Sequence, residues 1–376
     1  MRILFLVQSL GKGGAERLIL DICNELNNRQ GIEHLIISFS KQNDYPTLSK
    51  QVNYVVCNSS VQLSLLKTNK IDIDAYLKIV QDFKPDVIHS NVYKTELISR
   101  EYLFPEVKYF THCHNNMPEF KRFSLKTFFN KRLLTNYFEK LRIEKQYKKC
   151  NNQFITISQD TLQYYKENLS KYLTDSIRYL PNAINYTRFY NDEIRILGER
   201  INLVMTGHMS DNKNQTFLID VLEQLRNRGA NAYLKLIGDW RNNGEKIEKK
   251  AKERNLSEYL SMPGLVEDVE TQLKEADIYV HSSYSESFGL VIIEAMAAGL
   301  PVVSLDSGGN KDIILQGKNG FLINQDVNVL DNFVKAVLEL IQNPQLYQEM
   351  SKFSKVFAKD YDIKAYVDKL IGLYKN

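Results

Sequence analysis

Cysteine, proline and long apolar runs are scarce in this chain, and each scarcity narrows what it can be. Only four cysteines occur in 376 residues, Cys23, Cys57, Cys113 and Cys150, and no two stand in a CxxC pair. A disulfide framework is excluded, and the thiols read as reduced side chains of a reducing compartment. Eight prolines and 17 glycines are too few and too scattered for a fibrous or low-complexity chain. No run of about 18 apolar residues occurs, so no membrane-spanning helix is expected. The N-terminal MRILFLVQSLGKGGAE has no small-residue cleavage site before its glycines, so it reads as a first strand, and a cytoplasmic location is expected. Gly11-Lys12-Gly13-Gly14 lacks the G-x-G-x-x-G spacing, which argues against a dinucleotide-dependent dehydrogenase. The net charge of +4 is too mild to argue for nucleic acid.

What is present is an α/β alternation, twice. The length favours two domains. Ile3 to Val7 is a continuous apolar run, the pattern of a strand buried on both faces of a parallel sheet. A helix follows with apolar positions Ala15, Leu18, Ile19, Ile22 and Leu26. Further strands are expected at Leu35–Phe39, Tyr54–Cys57, Val87–His89, Val107–Cys113 and Phe154–Ile157, with helices at Ala75–Phe83 and Thr95–Tyr102 among them. A second series begins at Ile201. Its strands are expected at Asn202–Thr206, Tyr233–Ile237, Ile278–His281 and Val302–Leu305, separated by helices around Asn214–Arg228, Glu245–Arg254, Val269–Glu275 and Leu290–Ala298. The reading is two doubly wound Rossmann-like domains, 1–185 and 186–356, with a C-terminal helix over 357–376 packing back on the first. The Leu180-Pro181-Asn182-Ala183-Ile184-Asn185 segment serves as linker. Ligands bind such sheets at the C-terminal ends of their strands, so an interdomain cleft is expected.

The most informative stretch runs from His281 to Pro301. A strand ends at His281, a polar loop carries Glu286, and Gly289 permits close backbone approach before a helix containing Glu294. A carboxylate among Ile293, Ala295, Met296 and Ala297 needs partners, and two adjacent ribose hydroxyls would suit it. Backbone amides around Phe288, Gly289 and Leu290, at the helix N-terminus, would receive a diphosphate. A plain structural strand-loop-helix with a salt-bridged Glu294 is the competing reading.

Glu286 and Glu294 form an E-x7-E pair that resembles the signature of family 4 glycosyltransferases, retaining enzymes of the GT-B fold. Other landmarks resemble the family in order: Gly13-Gly14-Ala15-Glu16-Arg17, Ser158, Pro181-Asn182, Gly207 followed by Lys213-Asn214, Gly238-Asp239, Gly264-Leu265-Val266, Gly308-Gly309 and Asn319-Gly320. The resemblance implies transfer of a sugar from a nucleotide-diphosphate donor to a glycan or lipid-linked acceptor, with retention and in surface-polysaccharide synthesis. Glu294 would bind the ribose, Glu286 a sugar hydroxyl, and Lys213 would neutralise the departing diphosphate. Main-chain groups at Leu265 would read the base. Gly13 and Gly14 form the family's first glycine-rich turn, and His114 fits its histidine facing the donor sugar. His208 stands where the family carries arginine; a neutral imidazole donates one hydrogen bond, and an imidazolium would restore part of the charge. No protein nucleophile is assigned.

No metal or other cofactor is expected. His112 and His114 share a strand face, but no further ligand cluster accompanies them. Asp72-Ile73-Asp74 reads as an acid pair opening a helix rather than a metal motif. An epimerase or hydrolase of the same architecture is opposed by the E-x7-E pair, and a non-catalytic partner subunit is favoured only by His208. The segment 121–149 holds ten basic residues against two acidic ones, with Phe123, Leu125, Phe128, Phe129, Leu133, Leu134, Tyr137, Phe138 and Leu141 interleaved. It reads as an interfacial helix for an anionic membrane surface, against the bland alternative of a packed helix with solvated lysines. Nucleic acid is not expected, because stacking and base-reading motifs are absent.

Overall fold

The structure is a computed structural model and describes residues 1–64, 68–124, 127, 129–240 and 243–376. The chain divides into two compact units, Met1–Asn182 with Ile363–Asn376, and Ala183–Asp362.

In the first unit the strands are β1 (Arg2–Val7), β2 (Glu33–Ser38), β3 (Tyr54–Val56), β4 (Ser60–Gln62), β5 (Lys70–Asp72), β6 (Val87–Ser90), β7 (Lys108–Cys113), β8 (Gln153–Thr156) and β9 (Ile177–Tyr179). Among the described residues seven of them form one sheet in the order β3-β2-β1-β6-β7-β8-β9, every pairing parallel. The central strand β1 explains its own composition: Ile3, Leu4, Phe5 and Leu6 are all fully buried, because helices cover both faces of a parallel sheet. Order reverses between β1 and β6, which makes the ends of those strands the switch point where such sheets bind ligands.

The β4–β5 pair is an antiparallel hairpin that the helical reading of Asp72-Ile73-Asp74 did not anticipate. Asp72 ends its strand, and only Asp74 lies in the first turn of the helix Asp74–Phe83. The expected helix Thr95–Tyr102 is Tyr93–Ser99, and its buried Glu96 and the Arg100 that follows it belong to the core. Arg100 donates to Ser90, Ser99, Asn152 and the Phe110 carbonyl, and Glu96 accepts from Thr111 and Tyr147. Such burial is tolerable because hydrogen bonds replace water around both charges.

The second unit holds β10 (Ile201–Thr206), β11 (Ala232–Ile237), β12 (Leu260–Gly264), β13 (Ile278–His281), β14 (Val302–Leu305) and β15 (Gly320–Ile323). Their order is β12-β11-β10-β13-β14-β15, all parallel, with the switch point between β10 and β13. A large apolar core runs from Ile201 to Met350. The C-terminal stretch read as one helix over 357–376 is two pieces. Phe357, Ala358 and Lys359 finish the helix Pro344–Lys359, and Tyr361 packs against Phe357 with its ring tilted, so 357–362 stay with the second unit. After that break the helix Ile363–Lys375 packs on the helix Gly14–Leu26 of the first unit.

Candidate functional site

The second unit brings its polar residues to the ends of β10 and β13. β10 runs into Gly207 at φ +144°, and the Gly207 amide donates to the Ile237 carbonyl. Alongside it Gly238, at φ +150°, donates to the Gly264 carbonyl. A Cβ on Gly238 would collide with the Gly207 carbonyl, so glycine is required where these backbones touch. The chain then turns back: the stem of Lys213 lies over Gly207, and Asn214, at φ +50°, opens the helix Gln215–Asn227. His208 sits on this turn, half-buried, and its carbonyl accepts from Gln215.

The loop after β13 clasps that turn. Ser282 donates to the Lys213 carbonyl at 2.8 Å, and the Tyr284 amide to the Asn212 carbonyl at 2.8 Å. Lys213 Nζ reaches Glu286 Oε2 at 2.6 Å. The same oxygen lies 3.4 Å from Nε2 of the fully buried His281. Burial pushes the Glu286 carboxyl up, but His281 and the Lys213 charge outweigh it and bring it down to about 2. Burial, opposed by Glu286, holds the His281 imidazole below its ordinary value. The Glu286 backbone pairs with Ser307 and Gly309, which locks the loop to the Gly308-Gly309 turn. Gly289, at φ +101°, redirects the chain into the helix Leu290–Ala297. Phe288 is buried beside Tyr361, so it offers backbone rather than ring. Glu294 lies one turn into that helix, half-buried between apolar neighbours, as its sequence setting implied. Leu265 is half-exposed just past β12. Lys213 and Glu286 are thus direct partners, whereas the sequence offered them as separate groups. His281 is a site residue that sequence reasoning passed over.

In the first unit Gly13 caps and Gly14 opens the helix Gly14–Leu26 that follows β1, and the Gly13 carbonyl accepts from Tyr45. His114 follows β7 and hydrogen-bonds Asn91 at 3.0 Å. His112 is fully buried, its ring stacked 3.9 Å from that of His114. His89, also missed from sequence, bonds His112 at 3.2 Å.

The basic segment is only partly a free surface. The helix Lys131–Lys149 buries Lys140, Ile143, Glu144 and Tyr147 against its own unit. Lys140 donates to the Asn168 carbonyl and Arg142 pairs with Glu101, so neither is a solvated charge. Lys121, Arg122, Phe123, Phe129, Lys131, Arg132, Leu141, Lys145, Lys148 and Lys149 are exposed. Leu125, Lys126 and Phe128 lie outside the described residues. No helix among the described residues is long and apolar enough to cross a membrane.

Two family models match in tandem: Glycosyltransferase Family 4 over residues 12–188 and Glycosyl transferases group 1 over 188–357. An uncharacterized glycosyltransferase of Haemophilus influenzae is 31% identical over 176 residues, 46% of this chain and 49% of that one. The match thus spans about half the length of that relative, as it does for others. The Escherichia coli UDP-Gal:alpha-D-GlcNAc-diphosphoundecaprenol alpha-1,3-galactosyltransferase is 24% identical over 96% of this chain and 93% of its own. Among solved structures, Anabaena HepE in complex with UDP superposes with a TM-score of 0.79 at 20% identity, over 100% of both chains. Sucrose-phosphate synthase of Thermosynechococcus elongatus gives 0.77 at 18% identity, over 100% of this chain and 98% of that one. Two parallel Rossmann-like units, a glycine-lined switch point carrying the E-x7-E pair, and adjoining family matches over 12–357 make this chain a member of the family 4 glycosyltransferases, with the GT-B fold.

Proposed function

We propose that this chain is a metal-independent, retaining glycosyltransferase that moves a sugar from a nucleotide-diphosphate donor to a glycan or lipid-linked acceptor, in surface-polysaccharide synthesis. The observation that carries the reading is the Lys213–Glu286 pair, 2.6 Å apart, at the switch point of the second sheet. A lysine held by a carboxylate at a ligand-binding strand end is a cation ready to move to a stronger anion. A diphosphate leaving group needs that charge, and the oxygen so released on Glu286 can accept from a sugar hydroxyl. Glu294 takes the ribose hydroxyls, the amides at Phe288, Gly289 and Leu290 the diphosphate, and the main chain at Leu265 the base. His208 supplies a donor where the family has arginine, and His114 of the first unit meets the transferred sugar. A UDP-sugar is the donor we favour, supported by the HepE complex with UDP and by the UDP-Gal name of the Escherichia coli relative. That relative's diphosphoundecaprenol acceptor supports a lipid-linked acceptor. Such a substrate is confined to a membrane, and the exposed part of 121–149 would hold the protein at its cytoplasmic surface.

The test is turnover by the purified chain across a panel of nucleotide-sugars with diphosphoundecaprenol-linked sugars as acceptors. UDP release that persists in excess chelator, and a product with the donor's anomeric configuration by NMR, are expected. An inverted product overturns retention, and loss of turnover in chelator overturns metal independence. Donor binding without turnover on any acceptor would favour the non-catalytic partner reading that His208 raises.

A further inference from the structure

His89 on β6, His112 on β7 and His114 just beyond it form a row of three imidazoles, and the partner of His114 dictates where its proton sits. His89 Nδ1 meets the Tyr374 hydroxyl at 2.5 Å, and His89 Nε2 meets His112 Nδ1 at 3.2 Å. The His112 and His114 rings stack 3.9 Å apart with planes inclined by 31°. His114 Nε2 stands 3.0 Å from Asn91 Oδ1. Asn91 itself is 2% exposed, and its side-chain nitrogen lies 3.1 Å from the Leu6 carbonyl oxygen.

That last contact settles the geometry. A carbonyl oxygen only accepts, so Asn91 must turn its NH2 to Leu6 and its own oxygen to His114. The Asn91 oxygen also only accepts, so Nε2 of His114 carries the proton. Nδ1 is then a lone pair, and it is buried with no hydrogen-bond partner among the described residues. A buried acceptor without a donor is a cost that a ligand hydroxyl would remove.

We infer that Asn91 is a positioning residue that sets His114 as a neutral hydrogen-bond acceptor, so that the ligand group it takes is a donating hydroxyl of the sugar. The ligand half of this rests on the assignment of His114 to the transferred sugar. In this form His114 neither acts as an acid nor donates to a departing phosphate. The surroundings keep it neutral. Burial brings His114 down to about 3. Burial, then the neighbouring His114, depresses both His89 and His112, and the Arg100 guanidinium adds to the field on His89. Two protonated rings at this spacing would repel each other, so the rings cannot readily take up protons together.

Nitrogen-15 spectra of the histidine-labelled full chain read the tautomer without any variant, with His114→Gln as the assignment control among six histidines. Wild-type His114 is expected to show a protonated Nε2 and a lone-pair Nδ1, unchanged between about pH 5 and pH 9. Asn91→Asp keeps an accepting oxygen but adds a negative charge, so the midpoint should rise by about 2 pH units or more. An acid limb should then appear in kcat with the donor KM less affected. A wild-type signal with the proton on Nδ1, or a midpoint near the ordinary 6.5, overturns the inference. Undiminished turnover by His114→Ala, with the Nε2–H signature intact in the parent, would overturn only the ligand half, and with it the assignment of His114 to the sugar.

Discussion

Lys213 and His281 approach one oxygen of Glu286 from two different strand ends, and that competition sets the chemistry of the residue. Because the Glu286 carboxyl falls from 4.5 to about 2 on folding, its stabilising contribution is complete above pH 4.5 and disappears as the pH drops toward 2. Removing the lysine should reverse this. Lys213→Ala is expected to slow sugar transfer about 10²–10³-fold, because the leaving group loses its charge partner. It should also let the Glu286 carboxyl climb back toward 4.5, so the acid limb of the kcat–pH profile moves upward. A folded Lys213→Ala protein with the parental rate would remove Lys213 from the site. Glu294→Gln should act differently, since it loses an acceptor for ribose rather than a charge partner for phosphate. Nucleotide affinity is expected to fall by about 2–4 kcal/mol in calorimetric titration, and an unchanged Kd would leave Glu294 a structural residue.

Single elements here are held by contacts that only glycine allows, and these give the fold its sharpest local test. A Cβ on Gly309 would overlap the Ser287 carbonyl and approach the Phe288 nitrogen to 2.8 Å. Backbone cannot swing aside as a flexible side chain can, so the loop carrying Glu286 must move. Gly309→Ala is expected to cost about 2–4 kcal/mol in chemical denaturation and to abolish the rise in Tm given by nucleotide. Gly317 is the control: its φ is +73°, yet no atom lies within 4 Å of where a Cβ would go. Gly317→Ala should cost only the backbone strain, about 1 kcal/mol, with the nucleotide response intact. A loss in Gly309→Ala no larger than in Gly317→Ala would show that a small backbone shift relieves the close approach at Gly309.

Across the molecule the buried imidazoles are unevenly shared. Burial lowers the proton affinity of His34, His89, His112 and His114 in the first unit, and of His281 in the second. A histidine whose pKa falls on folding binds its proton more readily when unfolded. Stability is therefore lost as the pH drops below 6.5 and goes on falling to about 3 for His89 and His114. Each such group costs about 1.4 kcal/mol per pH unit in that window. The first unit should acid-unfold before the second. The single tryptophan, Trp240, belongs to the second unit, so its fluorescence reports that unit alone. Far-UV circular dichroism is expected to begin its loss at a higher pH than the fluorescence change; coincident transitions would show one cooperative unit instead. Membrane association belongs to the same scale. Pelleting with vesicles should require anionic lipid, fall with salt, and weaken when Lys121, Arg122, Lys131 and Arg132 are neutralised, at about 1 kcal/mol for each engaged charge. Equal recovery in the supernatant with anionic and neutral vesicles at low salt would end the membrane reading.

The residues alone determined the two α/β series, because helix and strand periods differ and the parallel strands are apolar on both faces: Ile278–His281 and Val302–Leu305 fall where their apolar runs placed them. The E-x7-E spacing and the glycine turns were equally legible, since both are local. The β12, β15 and β9 strands were not. β12 alternates exposed and half-buried positions, and β15 begins on a glycine, so neither shows a long apolar run. Pairings distant in sequence were beyond reach for a different reason. Glu286 meets Lys213 across 73 residues, and His89 meets Tyr374 across 285. Nothing in either segment encodes its partner; the order of strands in the sheet does. The same holds for Lys140, which composition counted as a surface charge and which packing turns inward to the Asn168 carbonyl. Sequence specifies which groups a strand or helix carries, and only the closed sheet decides which of them share an oxygen.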